Sequence, residues 1–358
     1  MTTKKNVEEE SATKKTKKVL TLDELIKDIN KEAGSTVVVD GFQHYDYERI
    51  PFTSPRMNYC TFGGIPEGRL TEFYGPEHGG KTTTLCDIIA NFQRKYPDRK
   101  ALLVDVEHSF DTEWAEKIGV DLSRLIVITP EEQGAETIFG WIEDFVKTGG
   151  IGLWGLDSIG AMVSNADLNN EMDESTYGGI SKPLTKFGNR INPLLKKYNC
   201  TGIAINQERE NLANPYAGPT TPGGKNWKYL CSVRLRFTQG SYIDAKGKEI
   251  PKNSENPAGM QVIMNMKKNK TCPPTRRVGQ YTIDFEIGVD YFKDLVEVAI
   301  KYGIIDKHGA WFDIVDVITG DILAEKIQGQ ANLYDYLEEN VEVLKKVEDL
   351  VDIKMNEK

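Results

Sequence analysis

The octapeptide Gly75-Pro76-Glu77-His78-Gly79-Gly80-Lys81-Thr82, followed by Thr83, fits the spacing GxxxxGK[ST]. Chemistry explains each fixed position. Glycines let backbone N–H groups wrap phosphate oxygens, and a helix beginning at the lysine adds the positive end of its dipole. Lys81 is spaced to reach the β- and γ-phosphates, and the Thr82 hydroxyl to ligate Mg²⁺. The motif therefore predicts a nucleoside-triphosphate site.

A phosphate loop also needs acids at neighbouring strand ends. Asp157 closes the apolar run IGLWGLD, where a carboxylate must sit to reach the Mg²⁺ shell. Asp105, inside the run ALLVDVE, competes for the same role. Glu107 lies two residues beyond Asp105 on the same expected strand and would share its side, suited to orienting an attacking water. The plain alternative for either acid is an ordinary strand-end residue.

The elements that must position these groups are readable as strand–helix alternation. Expected strands at 69–74, 101–107, 126–129, 151–157 and 201–207 alternate with helices at 81–94, 112–118, 133–147 and 181–198. Short, continuously apolar strands between helices indicate an α/β fold with a mostly parallel sheet covered on both faces. Beyond residue 230, strands at 231–238, 260–267 and 280–286 are expected to extend the sheet as antiparallel hairpins, followed by a helix near 290–302. Upstream, Thr21-Leu22-Asp23-Glu24 is a capping box opening a helix whose stripe is Leu22, Leu25, Ile26 and Ile29. Thr36–Val39 reads as a strand. The division that follows is a disordered charged arm 1–18, an N-terminal oligomerisation helix and strand 19–50, a core 51–286, and a small α/β C-terminal domain 287–358 with an acidic tail.

Composition narrows the function. The chain has 39% apolar residues and 9% aromatics, ordinary for a globular protein, and no apolar run long enough to span a membrane. Five cysteines without a CxxC pair and four histidines without ligand spacing argue against disulfides and zinc, and for a reducing, cytoplasmic setting. Net charge is −9, but residues 312–358 hold twelve acids and five bases, so −7 belongs to the tail. The body is nearly neutral and carries two basic stripes: Lys182, Lys186 and Arg190, and Lys267, Lys268, Lys270, Arg276 and Arg277. On charge alone a stripe of this kind is most simply a solvated face.

Several further motifs occur in order. They are Gly63–Thr83, Asp105–Asp121, Leu156-Asp157-Ser158, Ile205–Arg209, Thr220–Tyr229, Ser232–Leu235, Lys267–Lys270 with Pro273-Pro274, and Gly303–Trp311. Together, over roughly residues 20–345, they resemble the bacterial RecA family of recombinases. The resemblance implies a P-loop ATPase core of the RecA type that uses ATP and Mg²⁺. It further implies a homo-oligomer that forms a helical filament on single-stranded DNA, pairs it with homologous duplex DNA and exchanges strands.

By the same resemblance, Glu107 is the catalytic glutamate, and Asp111 and Trp114 hold the adenine. Asp157 and Ser158 end the second acidic motif, and Gln207 senses the γ-phosphate. Lys268 and Lys270 reach a neighbouring subunit's nucleotide. Two polar loops, 165–180 and 207–226, line the DNA. Tyr177 and Leu212 match apolar wedges, while Arg209, Gly223, Gly224 and Asn226 match phosphate contacts. Gly178, Lys182 and Arg190 complete the expected DNA face. Loop two departs from the family in Glu208, Glu210 and an inserted Lys225, and Trp114 replaces the usual tyrosine. A ring-forming helicase motor and a non-hydrolysing nucleotide scaffold are the competing readings. The Lys-Lys-Asn-Lys run disfavours the first, and Lys81 with Glu107 and Asp157 disfavours the second.

Overall fold

The computed structural model describes residues 20–34, 36–38, 47–170, 179–210, 218–245, 247–251 and 253–357. The charged arm 1–18 and the expected DNA contacts Tyr177, Gly178 and Leu212 fall outside them. The chain divides into two units, Met1–Asp46 and Tyr47–Lys358.

In the first unit, helix α1 (Leu22–Ala33) starts at the expected capping box, with Thr21 and Glu24 each satisfying the other's backbone N–H, and stops at Gly34 in the left-handed conformation. Nothing in this helix is buried; Leu22, Leu25 and Ile29 remain exposed. Described residues 36–38 form no strand. The Asn30 side chain instead accepts from Val37 N and Val38 N at 2.7 and 2.8 Å, because a single strand without a partner cannot satisfy its own backbone.

The second unit alternates as the sequence suggests. After β1 (Arg49–Ile50), α2 (Pro55–Thr61) and β2 (Ile65–Pro66) come β3 (Leu70–Gly75), α3 (Lys81–Lys95), β4 (Lys100–Asp105) and α4 (Thr112–Ile118). Next are β5 (Leu125–Ile128), α5 (Ala135–Lys147), β6 (Ile151–Asp157), α6 (Asn165–Asn169), α7 (Ser181–Lys197), β7 (Thr201–Gln207) and α8 (Gly224–Leu230). The sheet continues through β8 (Val233–Ile243), β9 (Glu249–Ile250), β10 (Gly259–Asn269), β11 (Val278–Asp284) and β12 (Gly288–Val289). The chain ends with α9 (Tyr291–Lys301), β13 (Ile305–His308), β14 (Trp311–Val315), β15 (Ile322–Gln328), α10 (Gln330–Glu339) and α11 (Val341–Asn356).

The main sheet runs in the order β12-β11-β10-β8-β3-β7-β6-β4-β5, with β9 on β8. From β8 to β5 every pair along this order is parallel, while β10, β11 and β12 add antiparallel strands. β8 therefore joins the parallel core through β3, whereas the sequence suggested hairpins throughout this region. β3 and β6 are buried at every position, which explains the apolar run IGLWGL of β6, while β3 carries Thr71 and Glu72 into the interior. One apolar cluster packs α3 and the β8–β11 strands, and another packs α5, α7 and Trp227 of α8 on the opposite face.

Two expectations change. The strand expected over 101–107 ends at Asp105, so Glu107 sits in the bend beyond it. The turn is built by the Asp105 carboxylate, which accepts from Ser109 N at 3.2 Å and Phe110 N at 2.9 Å, with His108 at φ +53°. The loops are shorter than expected, because α6 lies within 165–180 and α8 begins at Gly224. The acidic segment after residue 311 is folded: Val347, Leu350 and Val351 of α11 are buried with Leu295, Ile305, Phe312 and Leu333. Its acids are spread from β14 through β15, α10 and α11, and one of them, Asp316, is buried and paired with Lys346 at 2.9 Å.

Candidate nucleotide and DNA site

β3 delivers the chain into the glycine-rich turn at Gly75, where φ is +149° and an added Cβ would lie 2.0 Å from Phe237 O. Only glycine fits such an approach. Gly80, at φ +80°, is the N-cap of α3, and no side chain caps that helix. Its first N–H groups and positive dipole end thus face the loop. Lys81 folds back over the turn, donating to Pro76 O at 2.6 Å and Gly75 O at 3.4 Å. Burial pulls its pKa down from the ordinary lysine value. Phosphate oxygens would be stronger acceptors for this ammonium than two neutral carbonyls.

The two acids differ in their partners. Asp105 is spent on the turn, whereas Asp157 Oδ2 accepts from the Thr82 hydroxyl at 2.6 Å. Burial, and secondarily the Glu107 and Asp105 charges, push Asp157 up to about 6 against the Thr82 hydrogen bond. A buried carboxylate with excess negative charge and a hydroxyl beside it is a hard-oxygen donor set that suits Mg²⁺.

Glu107 is held at the same strand ends. Asp157 O accepts from Val106 N at 2.7 Å and Glu107 N at 3.3 Å. The Glu107 carboxylate accepts from the Ser158 hydroxyl and, at 2.7 Å, from Gln207 Nε2. Glu107, Asp157 and Gln207, 100 residues apart at the extremes, line one cleft of about 520 Å³ with Glu77–Thr83.

The wall of that cleft includes Tyr242, Met260 and Phe285, which sequence reasoning missed. Tyr242 and Met260 are directly opposed in the β8–β10 register. That pairing follows from a long hairpin with a bulge, and no local sequence signal announces it. Asp111 and Trp114 are close by but outside the lining. Asp111 caps α4 by accepting from Trp114 N at 3.0 Å, and the Trp114 indole N–H reaches Thr83 Oγ1 at 3.3 Å.

Lys268 and Lys270 are not at this cleft. Lys268 lies near the other end of β10, roughly 26 Å from Met260 by strand rise, and Lys270 just beyond that end. Lys268 donates to Lys228 O and Tyr229 O, and Lys270 to Tyr229 O at 2.9 Å, so both hold the carboxyl end of α8. Burial, with Lys270 beside it, pulls Lys268 down to about 8.

The expected DNA residues divide. Lys182, Gly223, Gly224 and Asn226 converge with Lys186 and Lys225 on a groove of about 670 Å³ between the starts of α7 and α8. Arg209 pairs with Thr220 across the base of the second loop and donates to Gly160 O at 2.8 Å. Arg190 is turned onto Glu143, to which Nη2 donates at 2.5 Å, away from that groove's lining. Glu208, one of the loop's unexpected acids, is neutralised by Arg236 through two bonds of 2.7 and 2.8 Å.

A family model for the RecA N-terminal domain matches residues 20–290, and one for the RecA C-terminal domain matches 293–356. Protein RecA of Thermus aquaticus is 34% identical over 332 residues, 91% of this chain and 92% of that one. Protein RecA of Thermus thermophilus is 33% identical with the same coverage. Protein RecA of Staphylococcus carnosus is 31% identical over 328 residues, 90% of this chain and 86% of its own length.

Proposed function

The chain belongs to the RecA family of recombinases, which act in DNA recombination and repair, and on that premise we propose that it couples Mg²⁺-dependent ATP hydrolysis to a filament on single-stranded DNA. The observation that carries the reading is the contact of Gln207 with Glu107 at 2.7 Å, beside the Thr82–Asp157 pair. It joins the start of a long polar loop to an acid at the phosphate site.

In this reading the Gly75–Thr83 backbone cradles the triphosphate, and Lys81 exchanges its loop carbonyls for β- and γ-phosphate oxygens. Thr82 and Asp157 would hold Mg²⁺, which when bound neutralises charge on those oxygens. Glu107 orients the attacking water and accepts its proton. Gln207 moves between Glu107 and the γ-phosphate. The cleft wall of Tyr242, Met260 and Phe285, with Asp111 and Trp114 nearby, suits a nucleobase.

Phosphates of single-stranded DNA would lie along Lys182, Gly223, Gly224, Asn226 and Arg209, contacts that carry no sequence information. Homologous duplex then pairs by its own bases. Lys268 and Lys270 are too far along β10 to serve their own cleft, which supports their acting on a neighbouring subunit's nucleotide, where two cations stabilise the charge of the transferring phosphoryl group.

Strand exchange between circular single-stranded DNA and a homologous linear duplex, with ATP and Mg²⁺, tests the assignment. Joint molecules should form with wild type and not with Lys81→Ala. Absence of joint molecules with wild type across ATP and Mg²⁺ concentrations would contradict it.

A further inference from the structure

Glu72 lies on β3 three residues before the phosphate loop and is fully buried. Its two carboxylate oxygens take three donors. Oε1 accepts from Asn206 Nδ2 at 2.9 Å and Trp227 Nε1 at 3.0 Å, and Oε2 pairs with Arg234 directly opposite on β8. Arg234 in turn stacks 4.3 Å over the Tyr74 ring.

Each donor leads to a different functional element. Asn206 precedes Gln207 and holds its backbone, accepting from Gln207 N at 3.0 Å. The same Asn206 amide also donates to Pro222 O at 3.1 Å, at the foot of Gly223-Gly224. Trp227 is the buried anchor of α8, whose first residues line the groove and whose last carbonyls are held by Lys268 and Lys270. Arg234 reaches Thr221 Oγ1 at 3.4 Å in the same loop stem.

We propose that Glu72 is the positioning residue through which the nucleotide cleft and the DNA-facing groove are coupled. The proposal rests on the reading that Gln207 senses nucleotide and that the 207–226 loop and α8 face DNA. The chemistry favours a coupling role over simple support. A buried ion pair is a poor source of stability, since its desolvation rivals its attraction, and an apolar set of equal volume serves a core as well. What a carboxylate with three charged or polar donors does supply is a fixed geometry among the elements it joins. Here β7, α8 and β8 share one acceptor, and the loop stem is tied to two of its donors, so a shift of Gln207 toward a γ-phosphate pulls on Asn206 and is passed to Pro222 and Trp227.

The test measures affinity of the full chain for a fluorescently labelled oligo-dT by anisotropy, in ATPγS–Mg²⁺ and in ADP–Mg²⁺. Wild type should bind at least about tenfold tighter in ATPγS, a usual size for coupling between sites. Glu72→Gln keeps the volume and loses the charge. It should bring the two affinities within about twofold of each other while binding of a fluorescent ATP analogue stays within about threefold of wild type. A purely structural role would move thermal stability but leave the ratio, and a wild-type ratio in Glu72→Gln overturns the proposal. If that variant melts below the assay temperature, Asn206→Ala decides. It leaves the Arg234 and Trp227 contacts intact, and retention of the wild-type ratio overturns the proposal equally. Equal affinities already in wild type would instead contradict the functional reading itself, and the coupling with it.

Discussion

The Gln207 side chain donates to Glu107 at 2.7 Å, so the last residue of β7 is held by an acid from the bend after β4. Replacing Gln207 with Ala should cut the DNA-stimulated part of ATP hydrolysis at least about tenfold, the size expected for losing a coupled contact, while binding of a fluorescent ATP analogue persists. Steady-state hydrolysis with and without poly-dT checks this.

Gly75 has no tolerance for a side chain. At φ +149° with a Cβ position 2.0 Å from Phe237 O, Gly75→Ala must displace β8 or the loop itself. Loss of nucleotide binding, measured with a fluorescent ATP analogue, is the expected outcome, whereas Gly149→Ala, with open space around it and φ +72°, should cost only about 1 kcal/mol of stability.

A buried acid gives stability a definite pH dependence. Asp294 accepts from Ser54 Oγ at 2.5 Å and Arg56 N at 2.9 Å, and burial raises it to about 7 from an ordinary 3.8. Between those values the folded chain keeps the proton and the unfolded chain does not, so stability falls as pH rises from about 4 to about 7. Asp87 and Asp157, each raised to about 6, act in the same direction. Melting temperature should therefore drop between pH 5 and 7.5, and Asp294→Asn, which mimics the protonated acid, should flatten part of that drop. Parallel melting curves for the two proteins would contradict this origin.

The acidic C-terminal segment cannot be removed without cost. Leu350 is buried, and Met355 O accepts from Arg276 at 2.8 Å. Leu350→Ala should destabilise the chain by about 2–5 kcal/mol in denaturant unfolding. Deleting 335–358 should expose the same core and destabilise the chain further.

How much of this was legible before the fold is best seen residue by residue. The phosphate loop was legible because backbone geometry there demands glycines at fixed spacing, and the strands because burial on both faces leaves unbroken apolar runs. Glu107 was assigned the right neighbourhood on the wrong element. The turn that carries it off β4 depends on Asp105 capping two N–H groups, a local choice invisible to periodicity. Tyr242, Met260 and Phe285 were missed because they become neighbours of the loop only through the register of β8, β10 and β11. Glu72 stood within a recognised motif without a role, since its three partners come from residues 206, 227 and 234.

The most direct measurement is ATP hydrolysis against added poly-dT, wild type beside Glu107→Gln. Single-stranded DNA should raise the wild-type rate at least about tenfold, and Glu107→Gln should abolish turnover while still binding ATP, as loss of a water-activating acid requires. A wild-type rate indifferent to DNA, or undiminished hydrolysis in Glu107→Gln, would contradict it.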